Sequence, residues 1–251
     1  MDLVLHTVCF NEEKMLPYFL NHYSNQVKKI RIYDNQSTDR SVEIASSYSN
    51  VEVLSFDTQG KLSELTLMHL RNEAWKEETC DYMIVCDVDE FLYPSDIHNF
   101  LLNHPEVDVF QPQGYDMVCD DFPSYDGRSL TDIVRWGCPA ENYSKMVCFK
   151  PERLININYG PGSHLAAPTG HDDLNIYKAG QGLSDMKLLH FKNLGFEYRL
   201  QRHQILQKRL GGQEFEKYGF GFHYAFDSEA QKIEFLNLKK NAVQVFEEST
   251  A

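Results

Sequence analysis

Asp87-Val88-Asp89-Glu90-Phe91 places three carboxylates within four positions. The five residues follow Tyr82 to Cys86, a run apolar almost throughout and therefore read as a strand buried on both faces. In extended backbone, residues two apart point to the same side, so Asp87 and Asp89 project together while Val88 faces the core. Neighbouring hard oxygens at the carboxyl edge of a sheet suit Mg²⁺ or Mn²⁺, and such an ion can hold a diphosphate. Acids that merely cap or solvate a strand end would look the same, so the surroundings decide.

Two further polar clusters end earlier strand-like runs. Phe10-Asn11-Glu12-Glu13 follows the apolar run from Leu3, and Tyr33-Asp34-Asn35-Gln36-Ser37-Thr38-Asp39 follows a strand over Lys29 to Tyr33. At one sheet edge, the three clusters together could cradle a nucleotide.

The elements that must bring them there are legible as periodicities. Met15, Leu16, Phe19, Leu20 and Tyr23 share a helical face, with Pro17 tolerated in the first turn. Asp39 to Tyr48 reads as a second helix, with N-cap candidates in Ser37-Thr38-Asp39, and Val51 to Phe56 as a third strand. Lys61 to Glu78 carries Leu62, Leu65, Met68 and Trp75 in a helical stripe before the fourth strand. The resulting order, βαβαβαβ, predicts an α/β fold with a mostly parallel central sheet. Beyond Phe91 the pattern loosens into strand-like runs at Val107 to Phe110 and Met146 to Phe149 among Asp-, Pro-, Gly- and Tyr-rich loops. A helix over Phe196 to Leu210 stops at Gly211-Gly212, and a last one covers Ser228 to Glu247.

With three motifs in this order at these strand ends, the sequence resembles the nucleotide-sugar-dependent glycosyltransferases of the GT-A fold. Within them it is similar to the family-2-like group, whose pattern is an N-E-E turn, a D-N-x-S-T-D turn and a D-V-D-E-F metal motif. The second half looks like a bacterial-type subgroup of that family through Tyr143-Ser144-Lys145, Gly160-Pro161-Gly162-Ser163-His164, Leu188-Leu189-His190-Phe191-Lys192 and Phe222-His223-Tyr224. The resemblance implies one domain over 1–251, Rossmann-like and nucleotide-sugar-binding over 1–92, irregular and acceptor-binding over 93–251. It implies a nucleotide-sugar site of Asn11, Glu12, Asp34, Asn35, Ser37, Asp39, Asp87, Lys145 and Lys192, with Asp34 nearest the base, and Mn²⁺ or Mg²⁺ on Asp87, Asp89 and His190. Neutral imidazole is a reasonable ligand for Mn²⁺, although His190 stands between apolar neighbours that would equally suit a core histidine. His164, after its Gly-Pro-Gly turn, is a candidate for phosphate or acceptor, or a loop residue without a role.

The implied reaction transfers a sugar from a nucleotide-diphosphate donor to a carbohydrate or glycolipid acceptor, in surface glycan synthesis, with inversion. Inversion needs a carboxylate to take the acceptor proton. The residues beyond the metal motif offer Asp116, Asp120 and Asp121, of which Asp121 is favoured and Asp116 is next. The Tyr- and Asp-rich stretch over 111–143 suits an acceptor sugar. From Lys187 to Lys217, seven basic residues face three acidic ones, cations that a leaving diphosphate can use.

Composition narrows the field from the other side. With 24 basic and 37 acidic residues the formal charge is −13, which disfavours a general basic field for nucleic acid. Six cysteines without a C-x-x-C pair read as reduced thiols. The first residues have no cationic leader and no long apolar run follows, so the expectation is a cytoplasmic protein without a membrane span, able to work at the inner membrane face. A haloacid-dehalogenase-type phosphatase wants its D-x-D after the first strand, and a sugar-nucleotide nucleotidyltransferase wants Gly and Arg after it; neither fits. The alternative from another class is a metal-dependent carbohydrate-binding module without turnover.

Overall fold

The computed structural model describes residues 1–178, 186–211 and 213–246, with the backbone alone at 213, 215 and 223. In chain order the first half comprises β1 (Leu3–Cys9), α1 (Leu16–Tyr23), β2 (Lys29–Asp34), α2 (Ser41–Ser46), β3 (Val51–Ser55), α3 (Glu64–Glu73) and β4 (Tyr82–Val85). There follow β5 (Glu90–Tyr93), α4 (Ile97–Leu102), β6 (Val109–Gln111), β7 (Gln113–Cys119), α5 (Leu130–Ile133), β8 (Trp136–Pro139) and β9 (Cys148–Phe149). The chain continues through β10 (Leu154–Asn156), β11 (Thr169–Gly170), β12 (Ile176–Lys178), β13 (Lys187–Leu194), α6 (Phe196–Gln207), α7 (Gln213–Tyr218), α8 (Ser228–Asn241) and β14 (Val243–Gln244).

Alternation of apolar side chains builds the central sheet. Leu3, Leu5 and Ile84 enter one core cluster while Val4, Met83 and Val85 enter a second, so the two clusters are the two faces of the same strands. The sheet has seven strands in the order β12-β6-β9-β4-β1-β2-β3 and is parallel except at β9. All four residues of β4 are buried, as its unbroken apolar run requires. A second sheet, β14-β8-β7-β13-β5, receives the chain directly after the acidic turn. Phe91, Leu188, Leu189 and Phe191 from this sheet share a core cluster with Phe19, Leu20 and Tyr23 of α1. No helix among the described residues is long and apolar enough to cross a membrane, and all six cysteines are free thiols.

Four helices differ from expectation, among them α6, which ends at Gln207 instead of Leu210. The second is two residues shorter at each end, and Asp39 caps it from outside by accepting the Ser41 N–H at 2.9 Å. α3 starts at Glu64 with Ser63 as its N-cap, passes into a 3₁₀ turn over Ala74–Glu77, and buries none of its residues completely. Of the apolar stripe, Leu65 is exposed, Leu62 lines a cleft and Trp75 enters the core, while Glu64, Leu67 and Arg71 face the cleft. The last helix ends at Asn241 and gives way to β14; Glu247, its expected end, lies outside the described residues.

One buried group makes stability depend on pH. His22 of α1 donates from Nε2 to the Leu92 carbonyl at 3.0 Å, deep in the core, and burial lowers its pKa to about 4. The unfolded chain, with an ordinary histidine near 6.5, takes up the proton first as pH falls. Stability is therefore full above pH 6.5 and is lost as pH drops toward 4, by up to about 1.4 kcal/mol per pH unit. His22→Gln should flatten the fall in urea midpoint between pH 6.5 and 4.5; an unchanged slope would discharge His22 from this role.

Candidate active site

The acidic turn between β4 and β5 is shaped by its own third acid. Glu90 accepts the Asp87 N–H at 3.0 Å through its side chain and donates its own N–H to the Asp87 carbonyl at 3.0 Å. Asp89 is fixed from the other side, because its carbonyl accepts the Phe191 N–H of β13 at 2.8 Å. Val88 is buried, as the alternation required. Lys145 is only 3% exposed, and its ammonium lies 2.6 Å from Glu90 and 3.5 Å from Asp87. The Arg71 guanidinium holds the other Asp87 oxygen at 2.7 Å. Burial alone would raise the Asp87 pKa, but Arg71 and Lys145 overturn it and hold the carboxyl well below the usual range.

Register places the histidine. β13 runs antiparallel to β5 and parallel to β7, which sets His190 opposite Glu90 on one side and Asp116 on the other. Its Nε2 lies 3.4 Å from Asp89 and its Nδ1 3.5 Å from Asp116. Burial disfavours charge on the ring, yet Asp89 and its other neighbours prevail, so its pKa is raised well above the ordinary value. Behind it, Asn193 donates to Asp116 at 2.7 Å and accepts from Arg199 at 2.7 Å, and Arg199 pairs with Glu234. Tyr143 lies over the His190 ring at 4.0 Å and bonds the Lys192 ammonium. Gly114 in β7 makes this approach possible, since a Cβ there would stand 2.2 Å from the Tyr143 carbonyl carbon.

Of these groups Arg71, Asp87, Asp89, Lys145, His190 and Lys192 line a cleft of about 730 Å³. Its opposite wall is α6, where Arg199, Arg202 and Leu206 recur at helical spacing, and Arg209 just beyond the helix end joins them in lining the cleft. Arg202 donates to the Phe10 and Asn11 carbonyls at 3.2 and 3.0 Å and pairs with Glu12. Arg209 lies 3.6 Å over the Phe10 ring. Six Lys or Arg and five Asp or Glu line the cleft, a local balance opposite in sign to the chain's −13.

The expected site residues separate into groups. Glu12, Asn35, Asp87, Asp89, Lys145, His164, His190 and Lys192 line the cleft. Asn11, Ser37 and Asp39 are engaged in joining the first two turns: Asn11 accepts the Thr38 N–H at 2.8 Å, Ser37 Oγ accepts the Asn11 N–H at 2.9 Å, and Asp39 accepts the Glu13 N–H at 3.0 Å. Asp34 is buried; one carboxylate oxygen accepts the Ser37 N–H at 3.0 Å and the other accepts no hydrogen bond. His164 donates from Nδ1 to the Asn142 carbonyl at 2.6 Å, which leaves the Nε2 lone pair toward the cleft, and burial lowers its pKa. Asp116 backs His190, and Asp121 is exposed and off the cleft lining. The side chain of His223 lies outside the described residues. Arg71, Arg199 and Arg202 carry contacts that no motif pointed to; their signal was spacing, Glu64-Leu67-Arg71 on α3 and Arg199-Arg202 on α6.

Among the described residues no three His, Cys, Asp or Glu side chains gather as a metal cage. Mg²⁺ and Mn²⁺ sites that also hold substrate phosphates need only one or two protein ligands. Asp89 with His190 Nε2 beside it, and Asp116 at the far ring nitrogen, is a donor set that fits such an ion. Asp87, by contrast, has both oxygens turned to cations.

The profile of glycosyl transferase family 2 matches residues 5–158, which span all three polar turns and more than half of the chain. The chain belongs to this family. As a family-2 glycosyltransferase it has the mixed α/β architecture with a large central sheet that its motifs implied. No curated protein matches its sequence. Among solved structures, S. aureus TarS 1–349 has a TM-score of 0.46 at 15% identity, over 94% of this chain and 79% of that one. Glucosyl-3-phosphoglycerate synthase from Mycobacterium tuberculosis with Mg²⁺ and UDP has 0.39 at 14% identity, over 64% and 60%.

For the transferase, Lys145 separates structural from ligand-binding charge. Lys145→Met leaves Glu90, 1% exposed, without its cation, a loss of about 3–5 kcal/mol. Adding Glu90→Gln should restore much of it. Urea melts of the single and double variants decide, and a single variant as stable as wild type would show that the pair does not support the turn.

Proposed function

We propose that this transferase moves a sugar from a nucleoside-diphosphate donor to a carbohydrate, free or lipid-linked, of a surface glycan. In this reading residues 1–251 act as one catalytic domain, supported by the core cluster that draws on both sheets. The observation that carries it is the convergence of the acidic turn, His190 and the cationic face of α6 on one cleft.

We assign the roles from their neighbours in the cleft and, for Asp34, which is buried and is not among the residues lining it, from its place in the second polar turn. Asp34 offers its unpartnered carboxylate oxygen to a nucleobase N–H, since a buried acceptor without a donor is costly to keep. The Phe10 and Asn35 segment borders the nucleoside. Arg71, Lys145, Lys192 and the arginines of α6 surround the place of greatest negative charge, the diphosphate. Asp89 and His190 are the residues that would hold Mn²⁺ or Mg²⁺, which when bound supplies charge stabilisation to the departing diphosphate. S. aureus TarS has been solved with UDP-GlcNAc, and the mycobacterial synthase with UDP and Mn²⁺ or Mg²⁺, which makes uridine donors the first to try. Inversion is the stereochemical course we attach to this reading, to be read from the anomeric proton of the product. A cytoplasmic setting accords with the free thiols.

Asp89→Asn should abolish transfer and weaken Mn²⁺ binding in calorimetry while the melting temperature changes little. Full activity in this variant, or in wild type with excess EDTA, sinks the metal assignment. Asp34→Ala should weaken the best-bound nucleoside diphosphate about tenfold or more, the value of one charged hydrogen bond. Unchanged nucleotide affinity would remove Asp34 from the base site.

A further inference from the structure

A segment of unusual composition crosses the mouth of the cleft. Residues 218–226 read Tyr-Gly-Phe-Gly-Phe-His-Tyr-Ala-Phe. Tyr218, Phe220, Phe222 and Tyr224 all line the cleft, but the outer rings are not buried there. Phe222 is 62% exposed and Tyr218 49%. Scattered exposed rings are ordinary on a protein surface, whereas a row of them on the rim of a charged cleft marks a ligand surface.

The row is held in place. Glu214 of α7 accepts Ser63 Oγ at 2.7 Å and the Leu65 N–H at 3.1 Å, which ties the segment to the first turn of α3 across the cleft. The Leu62 N–H donates to the Arg209 carbonyl at 2.9 Å, a second tie between the same walls. Gly221 has φ +78°, and a Cβ there would approach Leu210 to 2.9 Å and Leu62 to 3.2 Å. Tyr218 and Phe220 stack at 5.1 Å, Lys217 lies over the Tyr218 ring at 4.9 Å, and Phe226 braces Phe222 edge-on at 5.9 Å. Tyr224, at the inner end, meets His203 of α6 at 5.2 Å. The rings are therefore preorganised.

We propose that Phe222, beside the Tyr218–Phe220 stack, is the stacking platform of an acceptor subsite that takes a neutral pyranose through its C–H face. The inference rests on the transferase reading above and adds where the second substrate sits. An aromatic face is electron-rich and apolar, so it attracts the weakly positive C–H face of a sugar and has little to offer a diphosphate. Arg71 and Lys145 lie beside Asp87, Lys192 on β13, and Arg199, Arg202 and Arg209 on and just after α6, while on the rim Lys217 covers Tyr218, so the uncharged ring is assigned to Phe222. The stretch over 111–143, where an acceptor was first expected, contributes Asn142 and Tyr143 to the cleft but places Asp120 and Asp121 in solvent.

The test uses the full chain with Mn²⁺ and its best-bound nucleoside diphosphate, probed with methyl pyranosides and disaccharides of glucose, galactose, mannose and N-acetylglucosamine. Saturation-transfer NMR should show ring C–H protons of at least one sugar against the protein. Phe222→Ala should weaken that sugar about tenfold, Phe222→Trp should retain it, and nucleotide affinity by calorimetry should stay within about twofold in both. Wild type that binds no sugar of the panel, or Phe222→Ala and Tyr218→Ala binding sugar as wild type does, overturns the platform. So does an equal loss of nucleotide, which assigns the ring to the donor, or loss of binding to phosphatidylglycerol vesicles with sugar affinity intact, which assigns it to a membrane. Failure of the transferase reading looks different: wild type would bind sugar yet neither bind nor turn over any nucleotide sugar.

Discussion

A lysine and a glutamate that have both left water set the shape of this site. Neither Lys145 nor Glu90 could be buried alone, because an isolated charge in the interior is far costlier than a paired one. Once joined at 2.6 Å, they constrain everything within reach. Glu90 uses its second carboxylate oxygen and its N–H to fold the acidic turn, and its carbonyl accepts Tyr23 Oη at 3.1 Å from α1. Through β5 it also fixes the register of β13, and hence the position of His190. The turn, the histidine and the first helix are thus referred to one buried carboxylate.

The same rule governs the rest of the cleft. Asp87 answers to Arg71 and Lys145, Asp89 to His190, Glu12 to Arg202, and Glu234 to Arg199. Where burial raises a carboxyl, as at Glu12, a neighbouring guanidinium works against it. A phosphate ligand entering such a site meets cations already oriented by protein acids, so little reorganisation accompanies its arrival. An acidic chain can in this way present six oriented cations, balanced by five acids, along one cleft.

The first half of the fold was legible because its physics is local. Strands such as β1 and β4 announce themselves by apolar runs, and the three polar turns by their place after them. Asp87 and Asp89 could be singled out by residue type and spacing at a strand end, whereas His190 was singled out only through the resemblance to a family. Arg71 was not, and Arg202 only as one of seven cations, since their partners stand 16 and 190 residues away. Asp116 illustrates the limit from the other side. An acid beyond the metal motif reads as a base in sequence, and only strand register shows that it stands opposite a histidine, with the ring nitrogen 3.5 Å away. The apolar stripe announced a helix but not its setting: Leu62 borders the cleft and Trp75 the core, and periodicity cannot tell the two apart.

Arg202 also bears on how the molecule comes into being. It grips the carbonyls of Phe10 and Asn11 and the carboxylate of Glu12 across some 190 residues of intervening chain. A chain synthesised from its amino end therefore carries the first turn, with its acid, long before the cation that belongs there exists. Closing such a distance is slow relative to forming the local β-α units. The first half can acquire its strands early, but the cleft is finished only when α6 folds back over the first turn, which makes its assembly one of the last events in the life of a newly made molecule.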